Sequence, residues 1–281
     1  MNIEFMDGGF LFELNKISNN YGDDIIINKP EIIKKIYKDY IDCGCKYITS
    51  GNYGFKPLRQ PNWHIMTTLL IEYLYSLKTK NDFIFLGSIP PYYESYKNGA
   101  ITYHFKQYYL DLVSIMDKYV DKYLIETITD KYHMNMICDI ISKNSIKPIF
   151  VSMYSVNNIT INDIEELLNK YNQIEAVFIN CCSFDDMEPY FNNVLSKISN
   201  IDIKIGFYCN KIDEKKYRDA DDNTKITELS TYYIDGDNDL NKIIKFIKNY
   251  KCSNNLIIGG CCGYGVNEMT ELINIITTIN Y

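Results

Sequence analysis

Two adjacent cysteine pairs, Cys181-Cys182 and Cys261-Cys262, are the residues of this chain best equipped for chemistry, and the second pair lies inside Gly259-Gly260-Cys261-Cys262-Gly263. Three cysteine thiolates satisfy a tetrahedral zinc ion and leave its fourth position for a substrate, the arrangement of a catalytic rather than a structural site. Neighbouring Cys261 and Cys262 can both ligate only where the backbone turns sharply, and the flanking glycines reach the dihedrals such a turn needs. One thiol of Cys181-Cys182 would complete the set. Strand alternation points those two in opposite directions, which leaves the choice between them open. The plainer alternative is a buried thiol pair at a strand end, since Cys is among the most buried residue types. The glycine-cysteine block is more specific than that alternative requires.

Two carboxylates stand in comparable places, Asp7 in Asp7-Gly8-Gly9 and Glu126 in Glu126-Thr127. Each follows a short apolar run. Read singly, Asp7 would be a cap or turn residue and Glu126 half of a surface ion pair. Ser88, in Gly87-Ser88-Ile89-Pro90-Pro91-Tyr92, would by itself belong to a proline-containing turn.

These residues acquire meaning from the elements that must carry them. Eight apolar, β-branched and aromatic runs recur: Ile3-Phe5, Lys46-Thr49, Phe83-Leu86, Tyr123-Ile125, Pro148-Ser152, Ala176-Asn180, Ile203-Tyr208 and Leu256-Ile258. None alternates strictly, as expected of strands buried on both faces. Amphipathic stretches separate them, so the pattern predicts a parallel sheet covered by helices, in an α/β class. One helix should start at Pro30, present Ile32, Ile33, Ile36, Tyr37, Tyr40 and Ile41 as one apolar stripe, and stop at Gly44. Another should begin at Asn162, with Glu165 completing a capping box. Residues 210–228 read as a polar loop excursion before a helix containing Ile243, Ile244 and Ile247. No linker or short repeat divides the chain, and 281 residues suit a single (β/α)8 barrel domain spanning residues 1–281. In such a barrel the functional groups gather at the carboxyl ends of the strands, where Asp7, Ser88, Glu126, Cys181 and Cys261 all fall.

Composition narrows the partners. With 29 basic and 36 acidic residues and a formal charge of −7, the chain lacks the electrostatic footprint of a nucleic-acid binder, and small molecules are the expected partners. The pairs Lys34-Lys35 and Lys215-Lys216 read as solvated faces. No apolar run is long enough to span a membrane, and the start Met1-Asn2-Ile3-Glu4 lacks a secretory leader, so a cytoplasmic location is expected. Nine cysteines in a reducing compartment are ligands, nucleophiles or packing groups rather than disulfides. Cys43, Cys45, Cys138, Cys209 and Cys252 read as packing. His64, His104 and His133 are too scattered to form a second metal site, and Trp63 reads as packing.

Taken in order, Asp7-Gly8-Gly9 with Glu13, Ile48-Thr49-Ser50 leading to Tyr53, Gly87 to Tyr92, Glu126-Thr127, Asn180-Cys181 and Gly259 to Gly263 resemble the homocysteine S-methyltransferase family over nearly the whole chain. The resemblance implies a (β/α)8 TIM barrel with a zinc site at the C-terminal ends of its strands. It implies that Cys181, rather than Cys182, joins Cys261 and Cys262 in holding zinc. It also implies that Asp7 and Gly8 line the pocket for the amino-acid end of homocysteine, that Glu126 receives the ammonium group, and that Ser88 and Asn180 belong to the substrate site. The expected activity is methyl transfer from a sulfonium donor, S-methylmethionine or S-adenosylmethionine, to homocysteine, giving methionine. A sulfonium is favoured because the chain lacks the extra modules of cobalamin-dependent methionine synthase and is shorter than betaine-using members. The chain departs from the family at Phe12, where Thr is usual, and at Ser50-Gly51-Asn52, where Thr-Asn-Thr is usual. Those departures motivate one alternative, a catalytically silent zinc-binding barrel derived from the family. A hydrolase using Asp7 and Glu126 as acid and base ranks last, because it leaves the cysteines unexplained.

Overall fold

Strands apolar on both faces need cover on both, and in the computed structural model they obtain it by curling into a barrel inside a ring of helices. The structure describes residues 2–17, 23–93, 95, 99–154, 159–200, 202–212, 238–250 and 255–278. In chain order these form β1 (Ile3–Phe5), α1 (Phe10–Asn15), α2 (Asp23–Asn28), α3 (Pro30–Asp42), β2 (Tyr47–Thr49), α4 (Trp63–Lys78), β3 (Ile84–Ile89), α5 (Tyr103–Met116) and β4 (Lys122–Ile128). There follow α6 (Lys131–Asn144), β5 (Ile149–Met153), α7 (Ile161–Lys170), β6 (Ile174–Asn180), α8 (Phe184–Asn193), β7 (Lys204–Cys209), α9 (Asn238–Asn249), β8 (Leu256–Gly260) and α10 (Val266–Thr278). Lys215, Lys216, Cys252 and most of the polar excursion lie outside the described residues. Among the described residues no helix is long and apolar enough to cross a membrane.

All strand pairings are parallel, in the order β1-β8-β7-β6-β5-β4-β3-β2. The ring closes where Lys46 N–H donates to Phe5 (2.8 Å) and Asp7 N–H to Tyr47 (2.9 Å), so the fold is a (β/α)8 TIM barrel. Alternation divides the apolar residues into two cores. Met6, Tyr47, Leu86, Leu124, Phe150, Phe178 and Ile257 fill the barrel, while Phe5, Ile48, Phe85, Ile125, Val151, Val177 and Ile258 meet the helices. The interior is thus packed solid below its upper rim, and polar inward residues above that packing become the functional layer.

Several local expectations shift. The third strand does not stop at Gly87-Ser88 but runs to Ile89, because Ser88 and Ile89 continue the ladder to Leu124 and Ile125. The fourth runs through Glu126-Thr127 to Ile128, with a register shift between Ile125 and Ile128. The capping box of α7 is Thr160 with Asp163, two residues earlier than the expected Asn162 with Glu165. Thr160 Oγ1 accepts from Asp163 N–H (3.3 Å) and Asp163 Oδ2 accepts from Thr160 N–H (2.9 Å), a reciprocal fit available to the first hydroxyl before the helix. In α3 the expected signals hold: Pro30 is in the first turn, and Gly44 follows the helix with φ of 104°, which a residue bearing Cβ rarely adopts. Lys35 pairs with Asp39 one turn on, as a solvated face should.

Candidate functional site

The upper rim of the barrel surrounds a cavity of about 120 Å³. Inward parity delivers Thr49 from β2, Ser88 from β3, Glu126 from β4 and Tyr208 from β7 to its wall, and the segments after β1, β6 and β8 add Asp7, Gly8, Cys181, Cys261 and Cys262.

The three cysteines meet. Sγ of Cys181 and Sγ of Cys261 are 3.0 Å apart, and one ligand atom from each of Cys181, Cys261 and Cys262 lies within 4.8 Å of the others. Cys181 turns inward with φ of 58°, whereas Cys182 is buried in the core facing the helices. The Cys261-Cys262 turn is held from both sides. Cys261 N–H donates to Cys209 (2.8 Å), Lys211 N–H donates to the Cys262 carbonyl (2.7 Å), and Gly263 completes the turn with φ of 84°. Contact among the thiols divides their acidities. S–H donation from Cys181 and Cys261 pulls the Cys262 thiol well below its ordinary range, and the same contacts hold Cys261 well above it. One proton leaves this cluster readily; the rest leave readily only when a cation shares the sulfurs. Zn–S bonds of about 2.3 Å at tetrahedral angles put sulfurs about 3.8 Å apart. All three sulfurs lie within 4.8 Å of one another, close enough for these donors to share a thiophilic dication.

Two carboxyl groups line the same cavity. Asp7 is 2% exposed, and its Oδ2 accepts from Thr49 N–H (2.8 Å) and Thr49 Oγ1 (2.9 Å). Burial pushes its carboxyl up to about 8, despite those two donors. Glu126 accepts from the Ser88 hydroxyl and, at 3.3 Å, from the Tyr208 hydroxyl. Burial pushes it up to about 7, with the Ser88 hydrogen bond opposing and the nearby Cys181 adding to the rise. Two carboxyl groups so reluctant to ionise are poised for a cationic ligand.

Gly8 lines the cavity, and a Cβ there would stand 2.2 Å from the Tyr264 carbonyl oxygen, so only glycine allows this approach. Asn180 has a different place from the others. It is fully buried beneath the cavity wall, where Oδ1 accepts from Thr127 N–H (3.1 Å) and Ser152 Oγ (2.7 Å) and Nδ2 donates to Thr127 Oγ1 (2.9 Å). Glu13 caps α10 by accepting from Val266 N–H (2.8 Å), which anchors the helix after the Cys261-Cys262 turn. Phe12 lines the cavity with Phe10, Leu11, Tyr53 and Ile212, and Arg59 also reaches it. Sequence reasoning passed over Tyr208 and Arg59. Counting inward parity along the seventh strand from Gly206 finds Tyr208; no local signal marks Arg59.

At the carboxyl ends of its strands the barrel brings into one cavity three thiols placed so that they could hold a metal ion and two buried carboxyl groups. The homocysteine S-methyltransferase family model matches residues 4–276, and the chain belongs to that family, a family of methyltransferases. The metallated form of the homocysteine methyltransferase MmuM from Escherichia coli is similar in fold, with a TM-score of 0.71 at 15% identity over 98% of this chain and 96% of that one. Its oxidized form matches at 0.71 with 16% identity, over 98% and 96% of the two chains. A search of curated proteins found no match.

Proposed function

We propose that this chain is a homocysteine S-methyltransferase that uses zinc and moves a methyl group from a sulfonium donor, S-methylmethionine or S-adenosylmethionine, to homocysteine, giving methionine. The single barrel domain would carry the whole site. The observation that supports this best is the convergence of Cys181, Cys261 and Cys262 in the same cavity as Asp7 and Glu126.

Cys181, Cys261 and Cys262 would hold the zinc, which when bound would lower the pKa of the substrate thiol and keep its sulfur a thiolate at neutral pH. Glu126 and Asp7 take up the substrate ammonium. Once that cation arrives, both carboxyl groups ionise against it, and the ion pair fixes the amino-acid end. Ser88 and Tyr208 hold the Glu126 oxygens in place from two strands. Gly8 lets the chain approach without filling the space, and Asn180 sets the backbone beneath. The wall of Phe10, Phe12 and Tyr53 suits a sulfonium, since aromatic faces attract a cation and the cavity keeps water from competing. Transfer of the methyl to a thiolate neutralises charge, so this low-dielectric chamber favours the products. Alignment of donor and acceptor sulfurs along one axis supplies much of the remaining acceleration.

The test is to load the purified chain with zinc, supply homocysteine with each sulfonium donor, and quantify methionine and bound metal. The expected result is near-stoichiometric zinc, methionine from one donor, and loss of both on substituting Cys261→Ala. Stoichiometric zinc with no methionine from any donor would select the silent barrel instead.

A further inference from the structure

A second pair of thiols lies outside this site. Cys43 ends α3 and Cys45 precedes β2, with Gly44 between them; the two sulfurs are 3.7 Å apart. Cys43 is partly exposed, and Cys45 is buried with its sulfur 3.5 Å from the Met6 carbonyl oxygen. The loop is tight because Gly44 takes φ of 104°, and it is tied down by Gly44 N–H to Ile41 (3.1 Å) and Cys45 N–H to Tyr40 (3.1 Å). Packing alone does not call for two sulfurs in contact with one of them open to solvent.

We infer that Cys43 and Cys45 form a redox dithiol that closes to a disulfide when it meets a hydroperoxide. The Cys43 thiolate attacks one peroxide oxygen; an S–O bond forms, the O–O bond breaks, and the leaving alkoxide takes a proton to become the alcohol. The Cys45 sulfur then attacks the Cys43 sulfur, an S–S bond forms, and hydroxide departs with the Cys45 proton as water. Two electrons pass from the thiols to the peroxide. Cys43 suits the first role, since hydrogen bonding from Cys45 outweighs burial and brings its thiol down to about 7. Cys45, shielded and 3.7 Å away, suits the second. Closure would move the Cys45 sulfur, which lies beside the carbonyl of Met6, next to Asp7, so the switch abuts the wall of the cavity.

Trypsin cuts after Lys38 and Lys46, so residues 39–46 carry these two cysteines and no other. The full-length, zinc-loaded chain is treated with a small excess of hydroperoxide, blocked with N-ethylmaleimide, digested and weighed. The expected fragment 39–46 is unalkylated, lighter by two hydrogens, and restored to double alkylation by a phosphine. Its thiols should be lost about tenfold faster than Cys138, whose burial pushes its thiol up. A Cys45→Ser chain should instead yield a sulfenic acid on Cys43, trapped by dimedone, and Cys43→Ser should yield neither product. Two alkylated thiols in 39–46 when Cys138 has begun to react would overturn the inference, as would a dimedone adduct on the wild-type fragment without the lighter species. The wild-type measurement needs no variant to fold and no methyl transfer to occur.

Discussion

Glu126 carries the sharpest consequence at the scale of one residue. Burial holds its carboxyl at about 7 and that of Asp7 at about 8, so at pH 6 both are mostly protonated. A protonated carboxyl cannot neutralise an ammonium. Binding of homocysteine below these values therefore requires a proton to be expelled, and kcat/KM for homocysteine should rise with pH through about 7 to 8. A Glu126→Gln variant keeps the shape of the side chain and loses its charge. Its KM for homocysteine should increase about 30- to 150-fold, as expected for losing about 2–3 kcal/mol from a buried charged hydrogen bond. The variant's pH profile should keep only the limb near 8 that belongs to Asp7. Steady-state kinetics between about pH 6 and pH 9 decide this, and an unchanged lower limb would remove Glu126 from ammonium recognition.

At the scale of elements, the site depends on two residues held in left-handed backbone conformation, Thr127 with φ of 55° and Cys181 with φ of 58°. Neither is glycine, so each conformation costs about 1–2 kcal/mol and needs an anchor. Asn180 supplies the anchor for Thr127, and its own backbone leads directly into Cys181. One amide thus ties the strand bearing Glu126 to the strand that leads into Cys181. Asn180→Ala leaves Thr127 N–H and the Ser152 hydroxyl buried without this acceptor and should cost about 2–4 kcal/mol in urea unfolding. In a Thr127→Gly background the cost should be smaller, because glycine takes φ of 55° without strain and carries no orphaned hydroxyl. Additive effects would show that the clamp does not work through Thr127.

These elements also mark where the sequence is readable. Strands in a closed parallel barrel are apolar throughout, so all eight stood out as runs, and the glycine block flagged the sulfur turn. Strand ends were less visible. Ser88 and Glu126 are polar yet remain in the ladder, and a polar inward residue at a barrel rim looks locally like a loop. The α7 cap slipped because Thr160 and Asn162 are both competent caps, and the one that closes the reciprocal pair is Thr160 with Asp163. The role of Asn180 was out of reach, because its partners Thr127 and Ser152 lie on other strands and only the barrel brings them together.

At the scale of the whole molecule, the end of the barrel opposite the site is closed by charge. Glu4 of β1 is 8% exposed and receives Lys204 of β7 (2.7 Å), the Tyr47 hydroxyl of β2 (2.6 Å) and Lys46. This cluster joins the first strand to the seventh across 200 residues of the chain. Ring closure is the most non-local event in folding such a barrel, and the cluster stabilises it only once the ring has formed. Burial alone would raise the Glu4 carboxyl, but Lys204, Lys46 and Tyr47 more than offset that and bring it from 4.5 down to about 2. The native state therefore binds fewer protons than the unfolded chain between these values. The resulting stability is present in full above about pH 5 and drains away as pH falls through 2. The lysines are partly wet, which screens the pair, so Glu4→Gln should cost about 2 kcal/mol at pH 7. Near pH 2 the wild-type and variant unfolding midpoints should converge. A gap that persisted undiminished at that acidity would mean the side chain acts through shape and hydrogen bonding, and that its charge does not close the barrel floor.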